Sequence, residues 1–400
     1  MPMRIAHFSD LHYAKDTLTE VDRCFSFAVD RAIEAHVDTA IISGDSTDHE
    51  LDLHTPAVSA LARQIHRLAD HCPVLMLQGT FSHEPPGTLD VFRSLGGRFS
   101  VHVIDQISQV ALVGSDWVTS PSWRFETLPE NTRLLVSGLP TINKAVLAGI
   151  QGVVGTAQAV GNAIADVLAA WGVGNHAARA AGIPTVGTAH GTVAGCLTEH
   201  GVPMAGLDHE FTVGSLFAAE TSAFLLGHIH KAQEWERDGR LIAYPGSIGR
   251  LHYGEEGPKG FRLWTVDARQ ANSQFVETPA RRMVHWNFAG PPDLEAIKDM
   301  AATAEGAFVR IRWEVPEGSA HVPDRRAIEA LLANAAGIRF EGRVLPSVRS
   351  RAEGMLRAHT LAEKVTKWCE VTETSPEGLV DRLDTLTHRD PETIAAEILQ

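Results

Sequence analysis

The chain is poor in cysteine, and its four cysteines lie far apart. In 400 residues they occur as Cys24, Cys72, Cys196 and Cys369, and no two of them form a Cys-x-x-Cys pair. A disulfide framework is therefore not expected, and we predict buried free thiols in a reducing compartment, the cytoplasm. Internal repeats and low-complexity tracts are also missing, which leaves an ordinary globular protein with room for two or three domains.

The chain also lacks an excess of basic residues. It has 35 Lys and Arg residues against 49 Asp and Glu residues, which gives a net charge of −14. Domains that hold nucleic acid by positive charge alone are usually basic overall, so this class is excluded. A nuclease whose bound metal ions supply the local positive field is not excluded.

Long hydrophobic runs are missing as well. The N-terminus enters a short apolar segment at Arg4–Phe8, so we expect no signal peptide. Residues Ala145–Ala165 carry no charge, but they include Gln151, Asn162 and four glycines, which makes them a poor bilayer span. We therefore predict no association with a membrane.

The first 90 residues alternate between apolar runs and amphipathic segments. Three runs have the composition of buried strands, at residues 4–8, 39–43 and 73–77. Thr17-x-x-Glu20 predicts a capping box that opens a helix, and residues 56–71 predict a second helix. This alternation predicts an α/β domain. Further apolar runs follow at 109–113, 132–137, 183–188, 222–226 and 241–244, with a helical stretch near 157–181.

The pattern changes near residue 270. Residues 268–273 are polar without apolar periodicity, which indicates a linker or the edge of a hairpin. The strand and helix signals beyond them predict a small α+β domain, and after Pro346 the pattern is polar and helical. We therefore predict three regions, at residues 1–270, 271–346 and 347–400.

Candidate metal ligands follow five of the apolar runs. They are Asp10 and His12, then Asp45 with Asp48, then His83, then His190, and finally His228 and His230. The carboxyl ends of strands in an open α/β sheet border one crevice, so these side chains can converge there. Any one of the chain's twenty histidines, taken alone, is more often a surface or core residue. An ordered series at five strand ends favours a shared site.

These residue types suit a site with two divalent ions. Such ions lie about 3.5–4 Å apart in phosphoryl-transfer enzymes and clamp the attacking and leaving oxygens. A carboxylate can bridge both ions, while neutral imidazoles complete each shell without excess negative charge. The residues alone allow manganese, zinc or iron.

In its motif order the chain resembles the calcineurin-type metallophosphoesterases, and within them the SbcD-type DNA repair nuclease subunits. The resemblance rests on Asp10-x-His12, Gly44-Asp45-x-x-Asp48, Gly79…His83-Glu84, His190, Gly227-His228-x-His230 and Tyr244-Pro245-Gly246-Ser247. It implies an α/β fold, a four-layer metallophosphoesterase sandwich with a small α+β capping domain and a helical C-terminal segment. It also implies two divalent metal ions, usually manganese.

The resemblance assigns roles to these residues. Asp10, His12 and His230 would hold one ion, Asp45 would bridge, and His190 and His228 would hold the second ion. His83 would stabilise or protonate the leaving oxygen without binding metal, which suits an imidazole near neutral pH. Asp48 and His49, one turn beyond Asp45, are weaker candidates for contact with substrate.

One motif departs from the family pattern. The family usually has Gly-Asn-His after the third strand, with the Asn as a metal ligand, whereas this chain reads Gly79-Thr80-Phe81-Ser82-His83. A hydroxyl can replace an amide oxygen as a weaker ligand, directly or through water. Thr80 and Ser82 are both candidates, and Ser82 is preferred here because it precedes His83 directly, as the Asn would.

The resulting expectation is a two-metal DNA nuclease, the SbcD-like subunit of a repair complex. Its expected partners are DNA and an SbcC-type ATPase. The apolar positions of the C-terminal segment would dock on the coiled coil of that ATPase, or they could equally pack on the capping domain. A homodimer is also possible. Two alternatives remain: a phosphoesterase of a small phosphoester or cyclic nucleotide, and a metal-depleted scaffold subunit.

Overall fold

The structure is a computed structural model of the chain. It describes residues 2–48, 54–95, 97–142, 156–198, 210–255, 257–317, 324–346 and 354–399. The chain divides into two compact units. The first comprises Met1–Trp286, Leu294–Ile311 and Arg326–Phe340, and the second Asn287–Asp293, Arg312–Arg325 and Glu341–Gln400. The predicted domain boundaries at residues 270 and 346 stay predictions.

Strands occur throughout the first 345 residues. They are β1 Met3–Phe8, β2 Thr39–Ile42, β3 Val74–Leu77, β4 Val101–Ile104, β5 Ser108–Val113, β6 Asp116–Thr119, β7 Thr132–Leu139, β8 Thr185–His190, β9 Thr192–Val193, β10 Glu210–Phe211, β11 Ala223–Gly227, β12 Gln233–Arg237, β13 Arg240–Tyr244, β14 Gly260–Val266, β15 Ala271–Glu277, β16 Met283–Phe288, β17 Phe308–Pro316 and β18 Gly337–Leu345.

Helices separate the strands and end the chain. They are α1 Leu18–Glu34, α2 Pro56–His71, α3 Asp90–Arg93, α4 Thr156–Ala180, α5 Val213–Ala218, α6 Leu294–Met300, α7 Arg325–Leu331, α8 Leu361–Thr372, α9 Leu379–His388 and α10 Pro391–Ile398. The mixed α/β class is therefore as predicted. Short 3-10 turns cover Ala301–Ala304 and Met355–Arg357.

Two large sheets form the first unit. The six-stranded sheet has the order β15-β14-β1-β2-β3-β4, and its strands β1 to β4 are parallel. The seven-stranded sheet has the order β12-β13-β11-β8-β7-β5-β6, with β7, β8, β11 and β13 parallel. The polar segment 268–273 includes the turn of a hairpin, because β15 pairs antiparallel with β14. A separate three-stranded sheet has the order β16-β17-β18.

Three apolar clusters fill the first unit. One holds side chains from both large sheets, including Ile5, Ile41 and Leu75 from the first sheet and Val136 and Leu225 from the second. Another joins the opposite face of the six-stranded sheet to α1 and α2, and a third joins the seven-stranded sheet to α4 and α5. Each sheet therefore buries both faces, which explains the continuous apolar runs of its parallel strands.

The predicted capping box at Thr17 was wrong. Helix α1 does begin at Leu18, but the Thr17 side chain makes no capping hydrogen bond, and its hydroxyl donates to the carbonyl of His12 at 3.3 Å. The buried Glu20 carboxylate instead accepts from the backbone N–H of Arg281 at 2.6 Å and from the side chain of Arg23. Tertiary hydrogen bonds therefore occupy the Glu20 carboxylate, which a capping box would need for the backbone at Thr17.

All four cysteines are buried and free, as predicted. None of the helices in the described stretches is both long and apolar enough to cross a membrane. Of the uncharged stretch at 145–165, residues 156–165 open α4, and the earlier ones lie outside the described residues.

Candidate metal centre

The candidate ligands lie at the carboxyl ends of parallel strands, as predicted. Asp10 and His12 follow β1, Asp45 follows β2, His190 ends β8, and His228 follows β11. These loops meet where the two large sheets face each other. The meeting of these four strand ends explains how residues more than 200 positions apart come into contact.

At two positions, Gly79 after β3 and Gly227 at the end of β11, a neighbouring segment lies so close that only glycine fits. A Cβ atom on Gly79 would lie 2.2 Å from Oδ1 of Asp45, and one on Gly227 would lie 2.1 Å from the carbonyl oxygen of Ser43 and 2.8 Å from Nδ1 of His190. The glycines in these two motifs therefore serve the packing of the loops against the ligands.

Four ligand candidates adopt left-handed backbone conformations. The φ angles are 51° at Asp10, 49° at His12, 51° at Asp45 and 101° at His228. Non-glycine residues in such conformations cost on the order of 1–3 kcal/mol each, and they persist where the surrounding structure enforces them at functional sites. The loops are therefore held in one arrangement that aims these side chains inward.

The first cluster consists of Asp10, His12 and His230, whose ligand atoms all lie within 4.8 Å of one another. The Nε2 atoms of His12 and His230 are 3.1 Å apart, and each lies 3.9 Å from Oδ1 of Asp10. Burial lowers the pKa of His12 to about 3, so its imidazole is neutral, the form that binds metal. The backbone N–H of His228 donates to both carboxylate oxygens of Asp10 at 3.1 Å.

Glu255 and Lys259 hold His230 from behind. Nδ1 of His230 lies 2.8 Å from Oε1 of Glu255, so it donates its proton there and presents Nε2 to the cluster. The buried Lys259 ammonium contacts Oε2 of Glu255 at 3.0 Å and donates to the His230 carbonyl at 2.9 Å. Burial opposes ionisation of Glu255, but the hydrogen bond from His230 and the charge of Lys259 lower its pKa to about 2. Carboxylates that orient a metal-binding histidine in this way are common.

The second cluster consists of Asp45, His190 and His228, again with ligand atoms within 4.8 Å of one another. Nδ1 of His190 donates to the carbonyl of Ser43 at 2.7 Å, and Nε2 lies 3.1 Å from Oδ2 of Asp45. Burial works against the charge on Asp45, but His190 and His12 hold its pKa well below the usual range. Burial also works against the charge on His190 and lowers its pKa. The charge and hydrogen bond of Asp45 outweigh burial and raise the pKa of His190 to about 9.

Asp45 connects the two clusters. Its Oδ2 atom lies 3.1 Å from Nε2 of His190 in the second cluster and 3.8 Å from Nε2 of His12 in the first. A single buried carboxylate oxygen therefore faces both groups of imidazoles. This arrangement suits a ligand that bridges two cations.

His83 lies beside the first cluster and pairs with Asp48. Nδ1 of His83 is 2.7 Å from Oδ1 of Asp48, and its ring packs edge-on against His12 at 4.7 Å between centroids. The hydrogen bond to Asp48 raises the pKa of His83, which burial opposes. Both side chains are partly exposed, as are His228 and His230, whereas the other members of the two clusters are buried. His49, the other predicted substrate contact, lies outside the described residues.

The departure at residues 79–84 takes the form of a closed turn. The Thr80 carbonyl accepts from the backbone N–H of His83 at 2.9 Å and of Glu84 at 2.7 Å, which places Phe81 and Ser82 at the tip. Ser82 is exposed there. The Thr80 hydroxyl lies 3.2 Å from Nε2 of His190. The assignment of Ser82 as a metal ligand stays a prediction.

Glu84 is a buried carboxylate that fastens two of the loops together. Its Oε2 accepts from the backbone N–H of Gly79 at 2.6 Å, and its Oε1 accepts from the N–H groups of Ser46 and Thr47. Burial and the nearby charge of Asp45 raise its pKa to about 7. We assigned no role from sequence to Glu84, Glu255 or Lys259. Their positions show no periodicity, and only their hydrogen bonds reveal what they do.

The donor set fits divalent cations. Buried Asp10 and Asp45 have imidazoles, backbone amides and a hydroxyl as their partners in the described part of the chain. Buried carboxylates need a compensating positive charge, and the imidazoles directed at them add ligand atoms without adding negative charge. The two clusters therefore fit two divalent metal ions, with the identity of the metal left open among manganese, zinc and iron.

Comparisons with known proteins give weak similarity. No protein-family profile matches the chain, and no curated protein matches it. Similar solved structures include GAP50, the anchor in the inner membrane complex of Plasmodium, at 13% identity, with 69% of this chain and 84% of that one covered and a TM-score of 0.43. A dimetal phosphatase from Danio rerio has 10% identity, coverage of 69% and 100%, and a TM-score of 0.39. A predicted phosphoesterase from Streptococcus pneumoniae has 12% identity, coverage of 68% and 98%, and a TM-score of 0.23. TM-scores this low do not establish a family.

The hydrogen bond between His230 and Glu255 predicts how a substitution of Glu255 changes metal binding. We expect Glu255→Ala to weaken binding at the first cluster by about 10- to 100-fold, the usual effect of losing a carboxylate that orients a histidine ligand. Glu255→Gln keeps an oxygen that can accept the hydrogen bond from His230, so it should lose less metal affinity than Glu255→Ala. Titration calorimetry with Mn²⁺, with the exposed His66→Gln as control, measures both. Equal affinity in Glu255→Ala and the unmodified protein would contradict the assigned role.

Proposed function

We propose that this chain is a metal-dependent phosphodiesterase that cleaves DNA, an SbcD-like nuclease subunit. The observation that carries the proposal is the pair of clusters joined at Asp45, since one oxygen of Asp45 faces His190 on one side and His12 on the other. Such a pair suits phosphoryl transfer, in which two ions stabilise charge on both the attacking and the leaving oxygen. The order of the motifs along the sequence supports the assignment to the metallophosphoesterases.

Each group of residues has a defined part in this proposal. Asp10, His12 and His230 would hold one ion, and His190 and His228 the other, with Asp45 between them. When bound, the ions would supply a nucleophilic water at neutral pH and neutralise the phosphoryl oxygens. Manganese suits the mixture of oxygen and imidazole donors. The partners of the buried carboxylates keep them ionised or hydrogen-bonded, ready to receive the ions.

His83 would act as the general acid. Its hydrogen bond to Asp48 raises the pKa of the imidazole, so more of it is protonated near neutral pH, which is the form that can give a proton to the leaving oxygen. Asp48 would position His83 and would lie near the substrate, as it is partly exposed.

Support for DNA as substrate comes from the resemblance to SbcD-type subunits. The three apolar clusters of the first unit are consistent with the four-layer sandwich of that family. We propose further that the α+β segment at residues 271–346 positions DNA, that the protein works in the cytoplasm, and that its C-terminal helices bind an SbcC-type ATPase.

Digestion of end-labelled linear DNA in Mn²⁺ tests the proposed reaction. The unmodified protein should cleave single- or double-stranded DNA. Asp45→Ala should abolish cleavage and metal binding, because it removes the shared ligand. His83→Gln should retain its metal and lose about 10²–10⁴ in rate, the usual contribution of a general acid. His66→Gln, on the exposed surface of α2, serves as the control variant.

Three outcomes would contradict this account. Cleavage of a cyclic nucleotide with no cleavage of DNA would favour the small-substrate alternative. Less than about one metal ion per chain with no hydrolysis would favour a scaffold subunit, since two-metal catalysis needs both ions. Loss of metal from His83→Gln would make His83 a ligand. Hydrolysis of bis-p-nitrophenyl phosphate would not separate DNA from small substrates, because it reports only phosphodiesterase activity.

The C-terminal helices predict a separable partner interaction. Leu361, Trp368, Val371 and Leu386 on α8 and α9 are exposed apolar side chains, and exposed apolar groups often mark a binding surface. We expect a chain truncated after residue 346 to lose co-purification with a co-expressed SbcC-type ATPase while it still hydrolyses bis-p-nitrophenyl phosphate. Co-purification of the truncated chain at the unmodified level would contradict the docking proposal.

A further inference from the structure

Three atoms in the second cluster form a nearly equilateral triangle. Nε2 of His190 and Oδ2 of Asp45 are 3.1 Å apart, and the hydroxyl oxygen of Thr80 lies 3.2 Å from the first and 3.3 Å from the second. Adjacent ligand atoms of an octahedral ion at about 2.1 Å from the metal are about 3.0 Å apart. The triangle therefore has the dimensions of one face of an octahedral coordination shell.

These three atoms carry more lone pairs than hydrogens. His190 donates its Nδ1 proton to the Ser43 carbonyl, so Nε2 is the nitrogen that faces Asp45 and Thr80, and it presents a lone pair to a cation that displaces its proton. The Asp45 oxygen carries only lone pairs, and the Thr80 hydroxyl has a single hydrogen to offer. A cation that displaces the Nε2 proton can therefore bind all three atoms together.

The chain holds Thr80 in this position from two sides. Its backbone N–H donates to Oδ1 of Asp45 at 2.6 Å, and Gly79 permits the close approach because any side chain there would collide with Asp45. The turn that follows is closed by hydrogen bonds to the Thr80 carbonyl, and it carries Ser82 to an exposed tip. The two residues that lengthen this segment relative to the family pattern are therefore absorbed in the turn, and the hydroxyl that faces the ligands is that of Thr80.

We propose that the Thr80 hydroxyl is a ligand of the second divalent ion, together with Asp45, His190 and His228. Thr80, and not Ser82, then occupies the place of the amide that the family pattern would supply. This inference rests on the proposed two-metal function and adds a ligand to it. Because a neutral hydroxyl is a weaker donor than an amide carbonyl, the second ion is the more weakly bound of the two.

Titration of the metal-free, full-length protein with Mn²⁺ tests the assignment. Binding is measured by calorimetry and by the loss of the electron paramagnetic resonance signal of the free ion. The unmodified protein should show two unequal affinities. Thr80→Val, which keeps the shape but removes the hydroxyl, should weaken the lower-affinity site by about 10- to 100-fold, as expected for a lost polar group at a metal site. Thr80→Ser, which keeps the hydroxyl, should change it by less than about threefold, and Ser82→Ala should leave both affinities unchanged.

The possible results separate Thr80 from the wider proposal. If Thr80→Val binds both ions as the unmodified protein does, Thr80 is only a hydrogen-bonding residue, while the two-metal function stands. Weakening in Ser82→Ala would return the role to Ser82. If the unmodified protein binds no second ion, both the ligand assignment and the proposed function fail. Thermal melting of the metal-free variants shows whether each one is folded, and Thr80→Ser carries the comparison if Thr80→Val is not.

Discussion

The candidate site depends on two buried carboxylates, Asp10 and Asp45, that face imidazole nitrogens. A buried carboxylate without a compensating charge is costly, so we interpret the surrounding loops as the shell of a cation site. Hydrogen bonds from the backbone of His228 and Thr80 fix the two carboxylates, and strained left-handed conformations aim the ligands inward. The rest of the first unit fixes the positions of these loops relative to one another.

The two large sheets fix these positions. Parallel strands β1, β2 and β3 of one sheet and β8 and β11 of the other end at the same edge, and apolar side chains packed on both faces of each sheet keep those ends in place. Further support comes from groups that touch no ligand atom directly, such as Glu84, which binds the amides of two loops. The positions of the ligands therefore depend on both packing and backbone hydrogen bonds.

Much of this could be predicted from the sequence, because the ligands directly follow apolar runs that only buried strands explain. Local signals failed where distant contacts decide the outcome. Thr17-x-x-Glu20 has the capping-box pattern, yet Glu20 is engaged by the backbone of Arg281, 261 residues away. Linear spacing favours Ser82 as a ligand, and that assignment stays a prediction, but spacing cannot show the hydrogen-bonded turn that leaves Ser82 exposed. Glu255 lies in an aperiodic loop, so nothing in the sequence marks it as the partner of His230.

The central claim is that the two clusters bind two divalent ions that share Asp45. Crystals grown with Mn²⁺ and measured on both sides of the manganese absorption edge test it most directly. The account predicts two anomalous peaks, one among Asp10, His12 and His230 and one among His190, His228 and Asp45, with Asp45 contacting both. A single peak, peaks elsewhere on the surface, or no manganese at this edge of the sheets would contradict it.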